Sequence, residues 1–256
     1  MIYFAQLEDT RALQGLTERY HAGLESYAFG TSEALDDLPA AHAAFDAELR
    51  DCTKHGLSLH GPFFDLNPAA FDSLVRAATR SRFESCYRAA RRVGATRIVF
   101  HTGFYPQVYW EETWRDNSIA FWKEFLGDKD ASVAVHIENN LEKSFEPMAR
   151  VIDAVAHPAF SACLDAGHAN VCSEIPVEDW VSGLGGRIGH FHLHNNNGKE
   201  DEHRALDDGT LDMRALLELA AQRLPGASWT LEMRDAKSLE RSARWLGAQQ
   251  ICRFDG

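Results

Sequence analysis

Residues 133–138 read VAVHIE and residues 160–165 read FSACLD. Each is a short run rich in β-branched or aromatic residues, and each closes on a carboxylate, Glu138 in the first and Asp165 in the second. A polar or Gly-containing loop follows, which is how a buried strand reads where it gives way to a loop. The same signature recurs on either side. Upstream, GLSLH ends at His60 and RIVFH at His101; downstream, GHFH ends at His192 and SWTLE at Glu232. One imidazole or acid at a strand end means little. Six in succession, all at the same end, imply a fold that gathers them. Metal binding is the simplest reason to gather three imidazoles with three carboxylates.

Working outward, IYFAQ near residue 2 and LESYAF near residue 24 supply two earlier strands, making eight. Helical patterns, with apolar residues three and four apart, occupy 69–93, 110–125, 211–224 and, after the last strand, 238–249. Helix breaks at Gly94, Gly127 and Pro225-Gly226 each fall just ahead of a strand. No Pro/Gly/Ser-rich linker divides the chain. Eight strands alternating with helices predict an α/β fold, a parallel (β/α)8 TIM barrel, with residues 1–256 as a single domain. A doubly wound open sheet would more often carry a Gly-rich turn after its first strand, and none is present.

In such a barrel the reactive groups sit at the C-terminal ends of the strands. Residues two apart on a strand share a face. His136 and Glu138 therefore point inward together, as do Thr230 with Glu232 and His190 with His192 and His194. Ile137, Phe191, Leu193 and Leu231 then face the helices.

Composition narrows the partners. The chain is 45% hydrophobic and carries a formal net charge of −12. Proteins that hold duplex phosphates usually display a basic stripe. The only dense basic cluster here, Arg88 to Arg92, lies on a predicted helix as a solvated face, so the charge argues against nucleic acid. The five cysteines include no CxxC pair and suggest neither a disulfide framework nor a thiolate metal site. The N-terminal stretch has acids and no apolar segment of signal-peptide type, and no run of 18 apolar residues occurs. A soluble cytoplasmic protein without a membrane partner is expected. Homo-oligomerisation is compatible with all of this.

Glu138, Asp165, His192 and Glu232 come from four consecutive strands and can fill positions around one ion. His168 lies three residues beyond Asp165, within reach of the same centre by a turn. In the polar stretch after strand seven, Asp201 and His203 form a D-x-H pair that can return to the site, and His60 and His101 complete the candidate ligands. Imidazole and carboxylate donors suit zinc, manganese, iron or cobalt, with magnesium open to a single-ion site. His21, His42, His55, His136, His157 and His190 read as hydrogen-bonded structural residues, and Asp207 and Asp208 as a solvated turn. Phe63, Phe64, Tyr105, Trp110 and Trp114 fall in the loops after strands three and four. Of these, Phe63, Tyr105 and Trp110 are expected to wall a substrate pocket. His194 stands between substrate contact and a structural role.

The blocks LHGPFFDLNP, VFHTG, HIENN, CLDAGHA, FHLHN, DEHRALDDG and LEM resemble those of the xylose isomerase-like barrel superfamily, over roughly residues 57 to 235. That superfamily holds sugar isomerases and epimerases together with the endonuclease IV group. The resemblance implies two chemistries. In the first, a divalent-metal-dependent isomerase or epimerase acts on a sugar, a sugar phosphate or a related keto-polyol through an enediolate. One ion (manganese, zinc, cobalt or magnesium) polarises the carbonyl, Glu138 and Glu232 serve as acid and base, and His168 binds the substrate oxygens. In the second, a metal-dependent phosphoesterase similar to endonuclease IV uses nine ligands for up to three zinc ions. By position these are His60, His101, Glu138, Asp165, His168, His192, Asp201, His203 and Glu232. Two blocks depart from the usual pattern: Leu206-Asp207-Asp208-Gly209 stands for L-G-E-G, and Asn195-Asn196-Asn197 replaces a run in which Asp is commoner. The acidic charge places the small-molecule isomerase first and the phosphoesterase second. A non-catalytic binding barrel is third.

Overall fold

The computed structural model describes residues 1–251; Cys252, the last of the five cysteines, lies outside them. The eight strands are β1 (Ile2–Ala5), β2 (Gly23–Ser26), β3 (Leu57–His60), β4 (Arg97–His101), β5 (Ala134–Glu138), β6 (Phe160–Asp165), β7 (Ile188–Leu193) and β8 (Ser228–Leu231). They pair in parallel, each with its sequence neighbour, and β1 closes on β8. The result is the (β/α)8 barrel expected from the sequence.

Helices α1 (Thr10–Tyr20), α2 (Ser32–Asp36), α3 (Leu38–Glu48), α4 (Ser73–Val93) and α5 (Glu111–Leu126) cover the first half. The second half carries α6 (Glu146–Val155), α7 (Ala166–Cys172), α8 (Val177–Leu184), α9 (Met213–Arg223) and α10 (Ala236–Gln249). Side-chain caps set most of the starts. Asp9, Thr31, Asp37, Asp72, Asp165, Asp212 and Asp235 each accept a backbone N–H from the first turn. The Asp72 cap explains why α4 begins at Ser73 and not at residue 69 as the apolar periodicity suggests. At its other end Gly94, at φ +84°, closes α4 in the left-handed region that glycine adopts without strain. Gly127, read as a similar break, is instead in ordinary right-handed geometry.

Strand alternation sorts the barrel into two environments. Phe4, Leu24, Leu59, Phe100, Ile137, Phe191, Leu193 and Leu231 are buried outward against the helices, in one core with Phe83, Trp122, Phe125 and Trp180. Each such side chain contributes about 1.5–3 kcal/mol by leaving water. The interior is polar. His136 Nδ1 meets Ser161 Oγ at 2.7 Å, and His190 bridges Ser228 Oγ at 2.6 Å and Thr230 Oγ1 at 2.9 Å. These two imidazoles are thus hydrogen-bonded structural residues. His21 is not: it is exposed, and ends α1 as a left-handed cap.

Arg88 to Arg92 lie in the last turns of α4, which lead into the N-terminal end of β4 and so away from the strand ends that carry the ligand candidates. Cys52, Cys86, Cys163 and Cys172 are unpaired. Among the described residues no helix is long and apolar enough to cross a membrane.

Candidate metal centre

All nine candidate ligands converge at the C-terminal mouth of the barrel. Their donor atoms fall into overlapping groups: His60, His101 and Glu138; Asp165, His192 and Glu232; His168, Asp201 and His203 with His194; and Glu138, Asp165 and His168, which links the other three, while Cys163, His190 and His192 form a fifth group deeper in the barrel. Glu138 connects the first two. Its Oε2 lies 3.6 Å from His60 Nε2, 3.7 Å from His101 Nε2 and 3.3 Å from His192 Nδ1. The same His192 Nδ1 is 3.3 Å from Glu232 Oε2 and 3.9 Å from Asp165 Oδ2. In the third group Asp201 Oδ2 stands 3.6 Å from His168 Nε2 and 2.9 Å from His203 Nε2. Ligand atoms around one tetrahedral zinc stand about 3.3 Å apart, given Zn–N and Zn–O bonds of about 2.0–2.1 Å. The spacings fit.

Two further observations fit a metal better than a hydrogen-bond network. Glu138 Oε2, His192 Nδ1 and Asp201 Oδ1 are buried without a hydrogen-bond partner among the described residues, a costly arrangement unless a cation completes it. The rings are also pre-aimed. His60, His168 and His203 each place Nδ1 2.9 Å from a backbone carbonyl, those of Gly61, Asn139 and Glu232. A carbonyl only accepts, so Nδ1 keeps its proton and Nε2 is the nitrogen of each ring that a cation would take, in exchange for the proton held there by the neighbouring carboxylates.

Local structure explains how the spacings in sequence achieve this. Asp165 ends β6 and caps α7, accepting the His168 N–H at 2.6 Å. The helix turn that follows carries His168 back over the strand end. The D-x-H pair returns through an antiparallel bridge between Asn195 and Arg204, and His203 adopts φ +52° to reach the site.

The cluster holds its carboxylates ionised. Burial alone would raise the Glu138 pKa, but the His192 charge and the contacts with His168 and His192 outweigh it and keep the group well below the usual carboxylate range. Glu232 and Asp201 are likewise lowered against their burial, by His192 and by His168 with His203 respectively. Burial pushes His101 down to about 4 despite Glu138, so this ring is neutral and ready to coordinate.

Sequence reasoning missed Glu25, which lies fully buried beneath the cluster. Its Oε1 sits 2.7 Å from His192 Nε2, while Oε2 accepts from Ser58 Oγ at 2.8 Å and Thr230 Oγ1 at 2.9 Å. The Oε1 contact is one of charge and not of a well-aligned hydrogen bond: the carboxylate lies against the Nε2 edge of the ring, and the opposite edge, Nδ1, faces Glu138 and Glu232. Tyr27, two residues on and on the same face, donates its hydroxyl to Glu232 Oε1 at 2.6 Å. An acid inside the apolar run LESYAF, with a tyrosine at the same parity, was the available signal. Glu25→Ala is expected to weaken zinc binding by about 10–100-fold, read by competition with a chelating dye. An unchanged affinity would remove Glu25 from this role.

Above the ligands opens a cavity of about 850 Å³, lined in part by Tyr27, Phe63, Phe64, Tyr105, Asn140 and Arg234. Phe63 lies flat on the His101 ring at 4.4 Å. Two expected substrate contacts are placed elsewhere. Trp110 precedes the first turn of α5, 80% exposed and outside the cavity lining, because the loop after β4 turns it toward solvent. His194 is fully buried under the third ligand group and is also absent from the lining. Trp114, read from the sequence as a loop aromatic, lies in α5, buried, and donates its indole N–H to the Thr102 carbonyl at 3.2 Å.

Comparison with known proteins places this geometry among relatives. Residues 21–249 match the family model described as xylose isomerase-like TIM barrel. The "Uncharacterized protein MJ1311" of Methanocaldococcus jannaschii is 27% identical over 182 residues, covering 67% of this chain and 62% of that protein, so the match spans less than two thirds of that relative. A "Probable endonuclease 4" of Mycobacterium leprae is 26% identical over 194 residues, covering 71% of this chain and 74% of that protein. Among solved structures, the TTHB071 protein of Thermus thermophilus, soaked with ZnCl2, superposes with a TM-score of 0.79 at 28% identity over 97% of both chains. A D-tagatose 3-epimerase-like protein superposes at a TM-score of 0.75 and 19% identity, over 97% of this chain and 96% of that one, a likeness of fold alone.

Proposed function

The chain belongs to the xylose isomerase-like TIM barrel family, and from that membership we propose that it is a zinc-dependent hydrolase of small phosphate esters. The observation that carries this reading is the placement of His60 and His101. Both direct Nε2 at Glu138 Oε2, the atom that also faces His192. A single-ion isomerase needs only Glu138, Asp165, His192 and Glu232, and leaves two imidazoles aimed at a carboxylate without a task. The relative named as a probable endonuclease 4 is consistent with the same chemistry.

Zinc bound at these groups supplies Lewis acidity toward phosphoryl oxygens and a nucleophile at neutral pH. The chain's own residues do the rest. Glu138 spans two ligand groups and stays ionised. Tyr27 holds Glu232 Oε1, which leaves Oε2 facing His192. Phe63 covers the His101 ring and keeps water from that side, while the more exposed Phe64 and Tyr105 offer ring faces to the organic part of an ester. Arg234 is the only Lys or Arg in the lining among the described residues, tethered to the Asp201 carbonyl at 3.1 Å. Its guanidinium suits a phosphoryl oxygen. Arg234→Met is expected to raise KM by roughly tenfold, about 1.4 kcal/mol, with kcat nearly unchanged. A fall in kcat at constant KM would assign it elsewhere.

One cation beside Glu8 and Asp65, on a chain of net charge −12, does not make a phosphate-tracking surface, so a small ester is favoured over a duplex. That same acidic rim supports a second reading, the enediolate isomerase with Glu138 and Glu232 as acid and base. The unpaired cysteines are consistent with a cytoplasmic protein in either case. Three assays separate the readings. Zinc-loaded protein is given p-nitrophenyl phosphate and its diester, an abasic-site duplex, and a panel of ketoses in D2O. Zinc-dependent release of nitrophenol is expected. Deuterium exchange into a ketose without ester hydrolysis would install the isomerase instead, and cleavage of the duplex alone would overturn the small-substrate assignment.

A further inference from the structure

We propose that His194 is a fourth ligand of the ion held by His168, Asp201 and His203, which makes that position a closed site and not an open catalytic one. The inference rests on the multinuclear centre proposed above.

His194 Nε2 is 3.2 Å from Asp165 Oδ1, 3.3 Å from Asp165 Oδ2 and 3.6 Å from Asp201 Oδ1. A directed N–H···O bond has one short partner near 2.9 Å. The hydrogen bond to Asp165 is long by that measure, and the 3.6 Å to Asp201 Oδ1 is a spacing that two ligands of one cation can take. Asp201 Oδ1 is itself buried with no hydrogen-bond partner among the described residues. No backbone carbonyl anchors the His194 ring, and its Nδ1 is unpartnered as well. The donor atoms of His168, His194, Asp201 and His203 all fall within 4.8 Å of one another.

The ring is seated by its surroundings. It stacks on His203 at 3.9 Å and 15°. Below it, Gly167 makes the space: a Cβ there would stand 1.9 Å from His194 Cε1. A fully buried imidazole packed this closely cannot swing out to meet substrate.

Three imidazoles and a carboxylate form a complete tetrahedral set, the pattern of a structural zinc site, whereas catalytic zinc keeps a position open. The third ion is then retained tightly and orders the loop that carries Asp201 and His203. Bond-making falls to the ions of the other two groups. This donor set selects zinc or cobalt over magnesium.

The test uses the full chain loaded with zinc, then exposed to a chelating dye while release is followed spectrophotometrically. The wild type is expected to hold about three ions, with one leaving at least tenfold more slowly than the others. In His194→Asn and His194→Gln the slow phase is expected to disappear while the remaining release is unchanged. Retention of the slow phase in both variants would overturn the proposal. Should neither variant fold by circular dichroism, cobalt-loaded wild type decides. Strong visible absorption from one four-coordinate ion, persisting after the labile ions are removed, supports the closed site, and only weak absorption refutes it. A wild type that holds a single ion contradicts the multinuclear centre itself, a result distinct from the loss or survival of the slow phase.

Discussion

Glu138→Gln is expected to leave the barrel folded and to lower turnover by about a thousandfold or more. The side chain stands where two ligand groups meet, with Oε2 within 3.7 Å of His60, His101 and His192. Replacing a carboxylate oxygen by an amide nitrogen removes the charge that cations at both proposed groups would need. Losing about 4 kcal/mol of metal-centred stabilisation corresponds to a factor of roughly 10³ in rate. Strand β5 keeps its place without that charge, because Ile137 and Val135 hold it to its neighbours on the apolar face, although the loss of ions lowers Tm. Steady-state assay of zinc-loaded variant beside wild type, with elemental analysis of both, checks this. The variant should also lose ions from two groups and keep the one at His168, Asp201 and His203. Activity within tenfold of wild type would remove Glu138 from the chemistry.

Chelation has the second large effect. A ligand that binds only the folded chain stabilises it by about 4 kcal/mol when free ligand is 1,000 times its Kd. For a chain of this size each kcal/mol moves Tm by about 2–4 °C, so removing even one such ion lowers Tm by roughly 8–16 °C. The effect also depends on pH. In the metal-free protein burial would lower the His203 pKa, but the hydrogen bond to Asp201 and the Glu232 and Asp201 charges outweigh it and hold the group at about 9. A pKa raised on folding stabilises the protein fully below the unfolded value of about 6.5, and that contribution is lost as pH rises toward 9. Zinc needs the neutral ring, so it competes with this proton. The rise in Tm on adding zinc is therefore expected to be larger at pH 9 than at pH 6.5. Scanning calorimetry with and without zinc at both values reads it, and a rise that shrinks with pH would contradict the assignment of His203 as a ligand.

The barrel was legible because its signals are local and repeated. Six apolar runs close on ligand-type residues, and apolar periodicity with Gly and Pro breaks marks the helices between them. Parity along β5, β7 and β8 is enough to place Glu138, His192 and Glu232 on the inner face. What parity does not supply is depth. His192 and His194 share a face, yet one groups with Asp165 and Glu232 while the other groups with His168, Asp201 and His203. Trp110 and Phe63 are both loop aromatics, and only the path of each loop separates a solvent-facing ring from one stacked on His101. Glu25 escaped because a lone acid in a strand carries no motif; its meaning comes from His192, Ser58 and Thr230, which only closure of the barrel brings together. The choice between one ion and several likewise rested on the approach of His60 and His101 to Glu138, a distance that no spacing in sequence encodes.

Elemental analysis of the purified chain after zinc loading and removal of free metal tests the central claim most directly. The shared carboxylate and the three donor groups predict close to three zinc ions per chain. One ion per chain, with His60→Ala and His101→Ala leaving that value unchanged, would contradict the account.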